Sequence, residues 1–280
     1  MEWGKTMKFI KKLKILTVSL LAIFVLNSTA FAETTLEAIQ SSGKLRIGGV
    51  TDAAPTFKKD RRSGEWQGIF IDIAGALAKD MGVELEVVTT TWGNSILDLQ
   101  ADKIDMMFGL NPTAAREKVI NFSVPVFNNA FTLVARDNAQ FKTWEDYNKP
   151  EIRIAVDAGS AHDATVTKLL PKATILRFDN VSEASIALQS GKADAQCFVM
   201  MLSLPIVKKN PQLGVVIAPT PIANTTSHAG FQKRQDTSLE DYVNAWLTKK
   251  SESGFVGEAV IRNMSLVGVT PADFPSNLKL

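Results

Sequence analysis

The chain has 280 residues but only one cysteine and two histidines. A lone thiol, Cys197, allows no internal disulfide, and its apolar neighbourhood reads as buried packing rather than a nucleophile. His162 and His228 do not form a zinc-like cluster, and no glycine-rich loop is present to cradle phosphate. No metal or cofactor is therefore expected, and any use of ATP would belong to a partner. Long low-complexity stretches are missing too, which favours two intimately connected lobes over independently tethered domains. The longest apolar run, residues 15–26, spans 12 positions, against the roughly 20 that a membrane-crossing helix needs.

That short run has a distinctive setting. Lys8, Lys11, Lys12 and Lys14 precede it, and Asn27-Ser28-Thr29-Ala30-Phe31-Ala32 follows. Small residues at Ala30 and Ala32 make a cleavage site, so residues 1–32 read as an export signal and Glu33 as the mature start. An uncleaved anchor is the alternative, and the length of the run argues against it. The absence of cysteine at the site argues against a lipidated terminus. The formal charge is +2, but residues 1–32 hold five lysines and one glutamate. The remainder carries 26 basic and 28 acidic side chains, a net of −2. The basicity thus belongs to the signal and is no argument for nucleic acid or lasting membrane attachment.

After the signal the pattern alternates. A helix over 35–42, a strand over 45–49, an exposed turn over 58–64, a helix over 69–81, a strand over 83–89 and a helix over 95–101 are predicted from periodicity and breakers. A strand run over 104–108 follows. The rhythm restarts with strands at 131–136, 153–157, 174–178, 193–199 and 215–218, and helices through 170 and over 182–190 and 202–209. Residues 144–147 read as a packed turn. After Pro221 the order changes: a strand at 227–231 returns toward the first unit, and helices at 239–251 and 255–263 close the chain before an irregular tail from Pro271. Strand and helix alternation of this kind predicts an α/β fold.

The stretch around Arg116 organises the chemistry. The run over 104–108 ends at Gly109 and a polar turn, Leu110-Asn111-Pro112-Thr113-Ala114-Ala115-Arg116. Pro112 suits a first helical position. Strand tips in open α/β sheets are common ligand sites, and an arginine fork there matches a carboxylate. A surface arginine in a connecting turn is the bland alternative, and the pattern alone leaves the two open. Trp92, beyond another strand, fits an aromatic wall or core packing equally in chemistry. Asp52 is a cleft acceptor or the organiser of its own turn. Gly159 and Ser160 precede a helix, where free amides can receive an anion or merely be capped. His162 can contact solute, cap the helix or face water. Asp72 and Asp105 read as structural.

The markers Gly68-Ile69-Phe70-Ile71-Asp72, Lys103-Ile104-Asp105, Phe122-Ser123-Val124-Pro125 and Gly191-Lys192-Ala193-Asp194-Ala195, in this order with Trp92 and Arg116, give the chain a family likeness. It resembles the extracytoplasmic solute-binding proteins of polar amino-acid uptake, solute-binding family 3, over nearly all of residues 38–265. The resemblance implies a two-lobed periplasmic binding protein of type II with two hinge crossovers. The first lobe would comprise about 33–132 and 224–280, the second about 133–223. Solute would bind between them, and the closed form would be presented to an ABC permease in the periplasm. The resemblance further implies that Arg116 clamps a ligand carboxylate, with Asn111, Trp92, Gly159 and Ser160 around it.

The resemblance fails at one place. Relatives commonly carry an aspartate that receives the ligand ammonium, at a position falling near Val199. Here Gln196-Cys197-Phe198-Val199-Met200-Met201 holds no acid. Either Asp52, His162 or Asp163 compensates, or the solute lacks the usual ammonium. The expected function is binding of an amino acid or analogue for import. A cyclohexadienyl-dehydratase-like enzyme and a solute-sensing adaptor are the alternatives.

Overall fold

The computed structural model describes residues 33–136 and 141–273. The expected export signal, the polar segment 137–140 and the tail beyond 273 lie outside the described residues.

Helix α1 (Thr35–Ser42) leads into β1 (Lys44–Val50), a small hairpin of β2 (Lys58–Lys59) and β3 (Trp66–Gln67), then α2 (Ile69–Met81), β4 (Glu84–Thr90), α3 (Asn94–Gln100) and β5 (Met106–Leu110). The exposed turn expected over 58–64 is the tip of this hairpin, with Lys58 and Lys59 at its start paired as a strand. The Asp60 carboxylate accepts the Arg62 and Ser63 amides and folds the loop, so Lys58 and Lys59 pair with Gln67 and Trp66. Helix α2 buries Ile69, Phe70, Ile73, Ala74, Leu77, Ala78 and Met81, a continuous apolar stripe of helical period. Gly82 ends it in the left-handed region at φ 73°, a conformation glycine adopts without steric cost. Asp72 on its outer face pairs with Arg262 and Asn263, a structural role.

Beyond β5 the chain does not become helical at Pro112. A single 3-10 turn forms at Arg116–Lys118, wound from Thr113, whose hydroxyl accepts the Arg116 amide and whose carbonyl accepts the Glu117 amide. Strand β6 (Ile120–Phe122) and the nine-residue β7 (Phe127–Ala135) follow. Next come α4 (Trp144–Tyr147), β8 (Arg153–Asp157), α5 (Ala161–Leu169), β9 (Thr174–Phe178), α6 (Val181–Gln189), β10 (Ala195–Val199), α7 (Met200–Lys209) and β11 (Val215–Ile217). The expected packed turn at 144–147 is a one-turn helix because Thr143 and Asp146 close a reciprocal capping box. A second nine-residue strand, β12 (Asn224–Gln232), precedes α8 (Ser238–Glu252) and α9 (Phe255–Leu266).

Ten strands of the described residues join in the order β4-β1-β5-β12-β7-β10-β8-β9, with β6 and β11 branching off. The flanking trios β4-β1-β5 and β9-β8-β10 are parallel. The two long strands make the passage between them. Strand β12 pairs antiparallel with β5 and β6 through its C-terminal half, and with β7 through Asn224 to Ser227. Strand β7 pairs with β12 at its start and with β10 at its end. Each long strand therefore has one end in each half of the fold.

Both halves bury their strands beneath helices. Leu45, Ile47, Phe70 and Phe108 fill the first, and Ile154, Val156, Cys197 and Phe198 the second. Cys197 is a free, buried thiol that burial pushes upward in pKa, the chemistry of packing rather than attack.

Candidate functional site

The parallel strands of the two halves point their C-terminal ends toward each other, and the loops leaving those ends meet across a cleft. From the first half come Trp92 after β4, Gly109 near the end of β5, and Asn111 and Arg116 beyond it. From the second come Ser160, Ala161 and His162 at the start of α5, Val199 at the end of β10 and Leu202 in α7. Phe127 and Asn129 of β7 and Ser227 of β12 complete the floor, with Phe70 and Thr56 behind. The enclosed space is about 20 Å³, room for a water or so, so a solute requires the halves to part or side chains to swing aside.

Arg116 dominates this space. It is 5% exposed. Its guanidinium donates to the carbonyls of Asn111 at 3.1 Å and Trp92 at 3.0 Å, and across the cleft to Gly159 at 3.4 Å. Three such bonds leave part of the five-donor fork uncommitted. Burial lowers its pKa to about 10, opposed by the charge of Asp157, so it stays cationic at neutral pH. Among the described residues no carboxylate forms an ion pair with it.

Asn111 is held by a bond from its side-chain amide to the Thr226 carbonyl at 2.9 Å. Trp92 is 7% exposed and packs on Phe57, while its indole N–H is buried without a partner among the described residues. Gly109 lies where a Cβ would meet Phe70 and Trp92, so glycine keeps the wall flat. Ser160 caps α5 by accepting the Asp163 amide at 3.1 Å. Gly159 reaches the site through its carbonyl to Arg116. His162 is 4% exposed; its Nδ1 lies 3.0 Å from Asp157 Oδ1, and its ring sits edge-on to Phe131 and Phe198.

Asp52 stands elsewhere. It lines a separate opening of about 40 Å³ that shares Trp92 with the first and is also lined by Asp157 and Asp179. Its Oδ2 accepts the Ser182 amide at 3.0 Å and hydroxyl at 2.5 Å, so it ties the first half to the start of α6. Asp163 is bound to Arg177 and to the Gly159 amide. Val199 does line the Arg116 pocket, so the acid-free segment reaches the cleft and brings no charge to it. Asp105 is committed to Arg46. His228 is satisfied by Ser123 and Thr226, and burial lowers its pKa.

Several cleft residues escaped sequence reading. Phe127, Asn129 and Ser227 lie on the crossing strands, and only the alternation of 127 with 129 on one strand face could have signalled them. Asp157 closes β8, and its position at a strand's C-terminal end was the available clue.

Residues 45–261 match the bacterial extracellular solute-binding proteins, family 3. The chain belongs to this family. The ABC transporter glutamine-binding protein GlnH of Bacillus subtilis is 30% identical over 79% of this chain and 81% of its own. Cyclohexadienyl dehydratase of Pseudomonas aeruginosa is 28% identical over 84% of this chain and 88% of its own. Among solved structures, an ancestral amino acid-binding protein described as a precursor of cyclohexadienyl dehydratase is 34% identical with a TM-score of 0.73, covering 82% of this chain and 99% of that one. The solute receptor for L-cysteine of Neisseria gonorrhoeae superposes with a TM-score of 0.76 at 26% identity, covering 85% and 98%. The fold of this family-3 chain is the two-lobed α/β type with two crossings, here β7 and β12. Among the described residues no helix is long and apolar enough to cross a membrane, and no group of acidic, histidine and cysteine side chains could hold a metal ion.

Proposed function

We propose that this family-3 chain captures a small carboxylate-bearing solute, an amino acid or close analogue, in the periplasm for ABC import. Residues 1–32 are then a removed export signal. The lobes, about 33–132 with 224–280 and about 133–223, part and close about the two long strands. Arg116 carries the reading. It is a buried cation at a cleft wall that forms no ion pair among the described residues, an arrangement whose desolvation cost is offset when an anion arrives. A carboxylate matches its planar fork. Asn111, Trp92, Ser160 and His162 share the pocket, and Gly159 joins them through Arg116. Phe70, Phe127, Val199 and Leu202 make the remainder apolar.

The Pseudomonas relative favours a second reading, elimination from a cyclohexadienyl carboxylate. That chemistry needs a proton donor placed at the leaving group. Among the described residues no acidic side chain lines the pocket, which supports binding without turnover. The test is to recover the exported protein under native conditions, denature it and identify what is released by mass spectrometry, then to incubate it with prephenate and arogenate. A released carboxylate and no aromatic product are expected. A ligand without a carboxylate, or saturable formation of an aromatic acid, would overturn the assignment.

A further inference from the structure

The pocket around Arg116 lacks an acid at Val199, yet a negative charge lies directly behind one of its walls. Asp157 is 4% exposed, and its Oδ2 is buried with no hydrogen-bond partner among the described residues. A bare buried carboxylate oxygen is costly and calls for a function. Its Oδ1 faces His162 Nδ1 at 3.0 Å. Nδ1 faces a carboxylate and so donates to it, and in that tautomer the ring's remaining lone pair lies on Nε2. Nε2 has no protein partner among the described residues. The ring is held between the edges of Phe131 and Phe198, and the residue lines the pocket.

An α-ammonium sits two bonds from the carboxylate carbon, so its acceptor must share the pocket with Arg116. That condition removes Asp52 and Asp163. Asp52 lines the separate opening and caps Ser182, and Asp163 is bound to Arg177. Neutral oxygens remain on the pocket wall. Thr56 donates its hydroxyl to the Ala53 carbonyl, while Asn129 Oδ1 and Ser160 Oγ accept the Ala130 and Asp163 amides, and each oxygen keeps a lone pair. Asn111 Oδ1 and Ser227 Oγ also line the pocket, but none of these oxygens is backed by a buried carboxylate. His162 is.

Building on the carboxylate clamp proposed above, we infer that His162, with Asp157 behind it, receives the ligand's ammonium through Nε2. The acid missing at Val199 is replaced by one at the end of β8 acting through an imidazole. The site thereby selects zwitterionic α-amino acids over the corresponding deamino acids. Asp157 is a positioning residue: it fixes the tautomer and supplies the charge, while His162 makes the contact.

The twenty common L-amino acids, each paired with its deamino acid, serve as probes by calorimetry on the full mature chain. The native protein is expected to prefer its best amino acid over the matched deamino acid by at least about tenfold, the scale of one charge-assisted bond. Asp157→Asn keeps the size of the side chain and removes the charge, so it should cut that preference by weakening amino-acid binding. Deamino-acid binding should not weaken, because the Asp157 charge acts on Arg116 only as a competitor of the ligand carboxylate. His162→Gln retains a neutral acceptor and should act in the same direction; thermal melting checks that both variants fold. Arg116→Lys should weaken both members of a pair together, so a failed clamp is distinguishable from a failed ammonium site. Equal binding within pairs on the native protein, binding of deamino acids alone, or no binding by any probe would overturn the inference. So would a preference surviving in both variants, which would place the ammonium on a neutral pocket oxygen such as Asn111 Oδ1 or Ser227 Oγ.

Discussion

The two halves of the molecule are built alike. Each is a βαβαβ unit with its first strand in the middle: β4-β1-β5 in one and β9-β8-β10 in the other. Each is pinned by the same device. Arg46 at the start of β1 donates its amide and guanidinium to Asp105, just before β5. Arg153 at the start of β8 does the same to Asp194, just before β10. Each arginine also reaches a backbone carbonyl in the turn preceding its aspartate: Arg46 Nη1 donates to Asp102, and Arg153 Nη2, which also holds Asp194, donates to Gly191. Where the halves differ is at the cleft. Beyond its third strand the first half presents Asn111 and Arg116, whereas the second presents Val199 at that strand's end and Leu202 beyond it. The second half instead carries its charge at the end of its first strand, in Asp157. A common scaffold thus sets a cation on one wall and a shielded anion on the other.

Removing the pins tests whether the scaffolds are energetically alike. Asp105 has 8% of its side chain exposed and Asp194 has 29%, so the first pin is the drier. Asp105→Ala should destabilise the fold by about 2–3 kcal/mol in urea melts and Asp194→Ala by less, because water replaces more of the second pin. The second pin also has a pH signature. The hydrogen bond from Arg153 holds the Asp194 carboxyl below its usual range. A depressed carboxylate contributes fully above its unfolded value of about 3.9 and loses the contribution as pH falls through the folded value. The advantage of wild type over Asp194→Asn should therefore narrow below about pH 4. Equal losses from the two alanine variants would break the distinction.

A smaller effect is expected where the halves touch. Gly93 has an ordinary backbone, but a Cβ there would lie 2.6 Å from the Ala158 carbonyl of the opposite half. Gly93→Ala should leave the fold intact and wedge the cleft, weakening solute affinity by about 1–2 kcal/mol. Small-angle scattering should then show less compaction with solute than in wild type. Unchanged compaction and affinity would mean that closure does not bring these backbones together.

Much of this was legible in the sequence because it is periodic. The stripe of α2 and its stop at Gly82 follow from residues alone, and so does the βαβαβ rhythm of each half. The pins were only half visible: the sequence marks Asp105 as structural, but its partner lies 59 residues away in sequence. The cleft was less legible still. Arg116 stands out by its strand-end setting, whereas Asp52 and Asp163 look equally fit as acceptors until three-dimensional packing commits each to another partner. Asp157 looks like an ordinary strand residue, and only its buried bare oxygen sets it apart. Local pattern records what a residue's neighbours in the chain impose; it does not record what the other lobe brings.

The central claim is that Arg116 holds a carboxylate across the cleft. Calorimetry on Arg116→Ala, with the ligand recovered from the native protein, tests it most directly. Affinity should fall by roughly 2–5 kcal/mol, the range for a desolvated charged contact, and Arg116→Lys should also lose affinity because an ammonium cannot reproduce the planar fork. Near-wild-type affinity in Arg116→Ala, for a ligand confirmed to sit in the cleft, would contradict the claim.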